Sequence, residues 1–207
     1  MRTLLALVVA LVIPLLSPVE RKRDERIHRV VSFNIRYGTA DDGPDRWEVR
    51  REKVVATMKG LDASVVGVQE ALAFQVRELI EALPDYAAVG VHRDDGLLAG
   101  EATTILYDRT RYTVAATGTF WLSDTPEVVA SSTWGNNVRR MVTWARFRDR
   151  ITGREFYFWN THLDHEVQFA REKAAELIRR WIAALSADIP LFPVGDFNAV
   201  ANANRAY

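Results

Sequence analysis

The sequence predicts an α/β fold built on two β-sheets packed against each other. Three observations predict it. Short apolar runs such as Val65–Val68 end in polar, chemistry-bearing residues, as strands do at the edge of a layered sheet. In the first half of the chain these runs alternate with segments of helical apolar spacing, the strand–helix–strand–helix order of a sheet covered by helices. The middle of the chain is rich in strand patterns, with apolar and polar residues alternating over Arg111–Trp121 and Met141–Arg148, so a second sheet is expected on the first.

A chain of 207 residues fits one domain with a sizeable core. Lys plus Arg number 27 and Asp plus Glu number 27, so no net charge draws the molecule toward nucleic acid or anionic membrane. A local basic cleft stays open as a possibility. The chain has no Cys, which excludes disulfides and thiol chemistry and leaves its redox compartment open.

Met1-Arg2-Thr3 precedes an apolar run over Leu4–Leu16. That length fits the roughly 7–15 apolar residues of a secretory signal and falls short of the about 20 that span a membrane. Residues 1–19 are therefore expected to be a signal peptide or N-terminal anchor, although no Ala-x-Ala cleavage site is visible. The expected location is secreted or cell-envelope associated, with the cytoplasm as the alternative. Residues 20–29 carry dense charge without an apolar face and read as a solvated linker. Residues 30–207 form the folded domain.

Val30–Ile35 opens that domain as a strand. Arg36 to Arg46 reads as a surface loop, and its acids miss the spacing of a calcium-binding loop. Asp45 is placed to cap a helix over Arg46–Lys59, with Gly60 as its stop. The strand Ala63–Gln69 is followed by Glu70. A second helix is expected over Phe74–Leu83, stopped by Pro84. Tyr86–Val91 is a strand, His92–Gly96 a loop, and Gly100–Tyr107 leads into the next strand. Asp149–Arg154 reads as a hairpin turn joining Met141–Arg148 to Glu155–Asn160. Glu166–Leu185 is the longest helical pattern. The apolar run Ile189–Val194 then leads into Gly195-Asp196-Phe197-Asn198.

Four of the apolar strands end in groups suited to metal or phosphate: Asn34; Gln69-Glu70; Asn160-Thr161-His162-Leu163-Asp164; and Asp196 with Asn198. Residues two apart in extended chain point to one side, so Asp196 and Asn198 would sit together at a sheet edge, where α/β proteins place ligands. Asp196 could bind a metal or activate water, unless Gly195–Asn198 is merely a turn. Glu70 is the best metal-ligand candidate, with Asn34 beside it, and an acidic cap on the next helix is its rival role. Asn34 could equally bond a loop. His162 could contact phosphate or donate a proton, or be a satisfied core histidine. Asp164 could orient that imidazole or cap the following helix. Arg140 could grip a phosphate in bidentate fashion or lie on the surface. His165 reads as surface.

Taken in this order, the four motifs resemble the endonuclease/exonuclease/phosphatase superfamily, the fold of pancreatic deoxyribonuclease, over roughly Arg29–Ala199. The resemblance implies a four-layer α-β-β-α sandwich of two packed mixed sheets. It implies that Asn34 and Glu70 hold a metal, that His162 contacts phosphate, and that Asp196 and Asn198 position nucleophile and substrate. Tyr107 resembles an active-site Tyr of related enzymes. The implied cofactor is Mg²⁺, with Mn²⁺ possible. The implied substrate is a phosphodiester, whether nucleic acid, phospholipid head group or small phosphoester, or a phosphomonoester. No obligate protein partner is evident, and a monomer is expected.

The superfamily pattern closes on an Asp-His pair and further strands, and nothing after Asn198 supplies them. The chain is thus expected to be an incomplete member at its C-terminus, lacking the last strands. Two functions follow from the sequence: a metal-dependent phosphoesterase, or a catalytically dead fragment that at most binds phosphorylated ligands. A membrane-tethered interaction domain is a third.

Overall fold

The structure, a computed structural model, describes residues 27–200. The expected signal or anchor at 1–19 and most of the charged linker lie outside the described residues. The strands are β1 (Val30–Asn34), β2 (Val65–Gln69), β3 (Tyr86–Val89), β4 (Ile105–Asp108), β5 (Tyr112–Trp121), β6 (Met141–Asp149), β7 (Glu155–His162) and β8 (Leu191–Asp196). The helices are α1 (Trp47–Leu61), α2 (Ala73–Ala82) and α3 (Gln168–Ala183).

The strands form two four-stranded sheets, ordered β1-β2-β4-β3 and β5-β6-β7-β8. Each is mixed: β1 runs parallel to β2 and β7 parallel to β8, while the other pairings are antiparallel. α1 and α2 lay Trp47, Val54, Met58 and Leu79 on the outer face of the first sheet. α3 lays Ala170, Ala174 and Leu177 on the second. Between the sheets, Val65 and Ile105 meet Tyr112, Phe147, Phe156 and Phe158. The result is the four-layer α-β-β-α sandwich expected from the sequence.

The inner layer also carries the buried amides of Gln69 and Asn160, which bond to each other and to the backbone. Gln69 Nε2 donates to Asn160 Oδ1 at 2.6 Å, and Asn160 Nδ2 donates to the carbonyls of Val68 at 2.9 Å and Thr104 at 3.0 Å. Buried amides are tolerated only when bonded in this way, and the bonds fix how the sheets face each other. Gln69 and Asn160, two of the strand-end polar residues, thus join the sheets rather than face a ligand. Gly67 makes the approach possible: a Cβ there would lie 2.7 Å from Val194 Cγ2 and 2.8 Å from the Asn160 amide.

Element ends differ from expectation where side chains found other partners. Asp45 does not cap α1. It belongs to a 3-10 turn over Gly43–Asp45, and Arg46 takes the capping position without a side-chain bond. Gly60 stays helical, and α1 ends with Asp62 in the left-handed region at φ 47°. The buried Gln75 on α2 accepts from the amides of Gly38 at 2.8 Å and Leu72 at 3.1 Å and donates to the Arg36 carbonyl at 2.9 Å. That clamps the loop after β1 against the start of α2.

Candidate active site

The two parallel pairs β1/β2 and β7/β8 bring four strand ends to one edge of the sandwich. Asn34 ends β1, Glu70 follows β2, His162 ends β7 and Asp196 ends β8. Glu70, His162 and Asp196 line a cleft of about 390 Å³ with Asn198, Arg140 and Arg36, and Asn34 lies behind it, bonded to both carboxylates. Gly195 sets the depth of β8, because a Cβ there would meet the Thr161 carbonyl oxygen at 2.4 Å. Any larger residue would push β8, and Asp196 with it, away from β7.

Asn34 is the bridge between the sheets at this edge. Its Nδ2 donates to Glu70 Oε1 at 2.8 Å and to Asp196 Oδ2 at 3.0 Å. Its Oδ1 accepts from the Arg36 amide at 2.9 Å. The other Glu70 oxygen accepts from the Tyr37 amide at 3.1 Å, so the helix-capping role considered for Glu70 is not the one it plays. Asn198 donates its backbone N–H to Asp196 Oδ1 at 3.1 Å and its Nδ2 to the Leu163 carbonyl at 2.9 Å. Two carboxylates therefore converge on one amide nitrogen. Among the described residues Glu70 has no Lys or Arg ion-pair partner.

Arg36, Glu70 and Asn198 all take positive φ, at 59°, 62° and 47°. This region is uncommon for residues with a side chain and costs of order 1 kcal/mol or more each, so surrounding bonds must hold it. Such backbone is typical of sites where side-chain direction matters more than local comfort.

His162 is buried, with Nε2 3.8 Å from Asp196 Oδ2. Burial, assisted by the Arg140 charge, lowers its pKa to about 4 against the pull of Asp196. At neutral pH it is a neutral imidazole. Burial pushes the Asp196 carboxyl upward, but the bonds from Asn34 and the Asn198 amide, with the His162 and Arg140 charges, outweigh it and leave the pKa below the ordinary value.

Arg140, just before β6, forms the opposite wall. It is 6% exposed, and burial with the nearby Arg93 charge lowers its pKa. Nη2 lies 3.0 Å from His165 Nδ1, and Nε lies 3.6 Å from Asp164 Oδ2, beyond hydrogen-bond range. Asp164 is thus an ion-pair partner of Arg140, while Nε and Nη1 are buried without a hydrogen bond. The Asp164 pair offsets the buried charge of Arg140 but leaves hydrogen-bonding capacity on the guanidinium, which an anion in the cleft would complete.

Two candidates are placed differently from the rest. Asp164 does not orient His162. Its Oδ1 accepts from the amides of Glu166 at 3.0 Å and Val167 at 2.7 Å, and shapes the turn into α3, while Oδ2 faces Arg140. Tyr107 pairs with Val65 at the start of β2, about 16 Å along the strand from Glu70. Its ring packs 5.0 Å from Phe147 in the inter-sheet core.

Five lining residues escaped the sequence reading as site groups: Arg36, Tyr37, Arg93, Glu101 and His165. All lie in loops, where neither period 2 nor period 3.6 marks them. Burial pushes the Glu101 carboxyl above its ordinary range; Arg93 opposes this, and the Glu70 charge adds to it.

A two-sheet sandwich with acids and amides at one edge and a buried arginine facing them defines a class, and comparison with known proteins gives it a family. The Endonuclease/Exonuclease/phosphatase family profile matches residues 31–206, and the chain belongs to that family. It is similar to a mannosyl-6-phosphatase of Bacteroides thetaiotaomicron, at 33% identity and TM-score 0.83, covering 87% of this chain and 68% of that one. It is similar to an endonuclease/exonuclease/phosphatase from Bacteroides vulgatus at 39% identity and TM-score 0.81, covering 85% and 67%. An uncharacterised protein of Acanthamoeba polyphaga mimivirus is 25% identical over 160 residues, which are 74% of this chain and 59% of that relative. The chain thus spans less than two thirds of this curated relative.

Proposed function

We propose that the chain hydrolyses phosphoesters with the aid of a divalent cation. The observation that carries this reading is the convergence of Glu70 and Asp196 on Asn34, in a cleft shared with the buried Arg140, whose Nε and Nη1 make no hydrogen bond. Among the described residues no group of three or more His, Asp and Glu forms a closed metal cage. Two carboxylates and amides instead suit Mg²⁺, which keeps waters and substrate oxygens in its shell, and Mn²⁺ is compatible with the same donors. Glu70 would hold the ion, with Asp196 and Asn34 beside it. When bound, it would neutralise charge on the phosphoryl oxygens.

The protein's own groups do the rest. Arg140 receives nonbridging oxygens on Nε and Nη1. Asp196, kept ionised by its donors, accepts the proton of the attacking water, and Asn198 fixes its orientation. The neutral His162 donates one N–H to a phosphoryl oxygen and accepts no charge at neutral pH. Water adds to phosphorus as Asp196 takes its proton, the bond to the ester oxygen breaks, and that oxygen is protonated by solvent water in the open cleft while Asp196 returns its proton to solvent. The likeness to a mannosyl-6-phosphatase favours a phosphomonoester over a diester.

The test compares p-nitrophenyl phosphate with bis(p-nitrophenyl) phosphate. The monoester is expected to be the better substrate. Arg140→Ala is expected to raise KM about 10–100-fold, the loss of a charge-assisted contact of roughly 1.5–3 kcal/mol. Turnover of neither ester, or an unchanged KM in the variant, counts against the proposal.

A further inference from the structure

One wall of the cleft is not used by the chemistry above. Arg93 Nη1 donates to Glu101 Oε2 at 2.8 Å and Nη2 to Oε1 at 3.1 Å, a bidentate pair with side chains only 16% and 17% exposed. Both residues line the cleft beside Glu70 and Arg140. Their position is fixed by the backbone. The Arg93 amide donates to the Glu101 carbonyl at 3.0 Å, and Trp121 Nε1 donates to the Arg93 carbonyl at 2.8 Å. Arg93 Nε is buried without a partner.

We infer that the Arg93–Glu101 pair is the specificity wall of this cleft, receiving a neutral, hydroxyl-bearing leaving group and turning away a second phosphate. The inference rests on the phosphoester reading of the adjacent site. Each Glu101 oxygen accepts one bond from Arg93 and keeps capacity for a further donor, which a hydroxyl supplies and a phosphate does not. Glu101 already neutralises Arg93 and stands near Glu70, and the neighbouring Arg140 is engaged by the ester phosphate of the proposed substrate, so a second anion brought to this wall meets carboxylate. Unpaired like charge is an effective means of rejecting the wrong ligand. Among the described residues lining the cleft, Tyr37 supplies the only phenol or indole ring, and the Arg36 guanidinium lies 4.6 Å over it. One face of that ring is thereby taken, so the stacking surface that single-stranded nucleic acid needs is poor. The substrate class that fits is the phosphomonoester of a sugar or similar polyol.

Binding measured by calorimetry in EDTA keeps the ester intact and separates this inference from turnover. The probes are glucose 6-phosphate, ethyl phosphate and the dinucleotide pTpT. Glucose 6-phosphate is expected to bind at least about tenfold more tightly than ethyl phosphate, as two added hydrogen bonds would give, and pTpT more weakly than either. Glu101→Gln and, independently, Arg93→Lys are each expected to bring the glucose 6-phosphate to ethyl phosphate ratio within about threefold of one. A wild-type ratio near one, a ratio untouched by both variants, or tightest binding of pTpT overturns the inference. Failure of all three probes to be hydrolysed with Mg²⁺ present would instead count against the phosphoester reading, whatever the binding ratio.

Discussion

Glu70→Gln is expected to lower metal-dependent phosphoester turnover by about 10³-fold, equivalent to ~4 kcal/mol of transition-state stabilisation. The substitution keeps the shape and an oxygen for the Tyr37 amide, which the native side chain accepts at 3.1 Å. It removes the charge that Asn34 now bridges to Asp196. Asp196→Asn should cost a similar factor, because its carboxylate is the proton acceptor of the proposed step. The double variant is expected to fall little further than either single one, since groups that act as a unit do not contribute additively. Initial rates at saturating Mg²⁺ for the three variants decide this. Losses of only a few fold, or losses that multiply in the double variant, would show that the two carboxylates do not share one centre.

Asp149→Ala is expected to destabilise the fold by about 3–5 kcal/mol, the usual consequence of removing one partner of a buried ion pair. Asp149 is 0% exposed, at the opposite end of β6 from Arg140 and the cleft. Oδ2 accepts from Arg111 Nη2 at 3.1 Å, and Oδ1 accepts from the Ile151 amide at 2.8 Å, closing the hairpin into β7. The loss therefore strikes a charge pair and a turn together. Burial pushes this carboxyl up, but the Ile151 bond and Arg111 outweigh it, and its pKa lies below the ordinary value. A depressed carboxyl contributes stability above its unfolded pKa of about 3.9 and loses it as pH falls through the folded value. Urea unfolding should accordingly show a large gap between wild type and variant at pH 7 that narrows in strong acid. A variant within 1 kcal/mol of wild type at pH 7 would be a clear miss.

The parts of this site that could be read in the sequence are those delivered by strands. Asn34, Glu70, His162 and Asp196 each follow an apolar run, and parallel pairing of β1 with β2 and β7 with β8 sends their ends to one edge. The same pattern misled where strand direction mattered. Tyr107 also ends an apolar run, but β4 is antiparallel to β2, so its end points to the far side of the sandwich. Asn160 and Gln69 carry the polarity of ligands, yet their position one layer deeper makes them inter-sheet links. Asp164 looked like a partner for His162 by its spacing of two. The chain leaves the extended form there, and two amides of the turn claim its carboxylate. Arg93 and Glu101 could not be found by periodicity, because a loop brings them together through backbone bonds that no local pattern announces. The layered fold itself was legible because burial on one face or two leaves a period in the sequence.

The most direct measurement of the central claim is the rate of p-nitrophenyl phosphate hydrolysis as Mg²⁺ is titrated into protein stripped with EDTA. A metal-dependent phosphoesterase built on Glu70 and Asp196 predicts no turnover in chelator and a saturable rise with Mg²⁺ that Glu70→Gln abolishes. Turnover indifferent to chelator, or none at any concentration of Mg²⁺ or Mn²⁺, would contradict it.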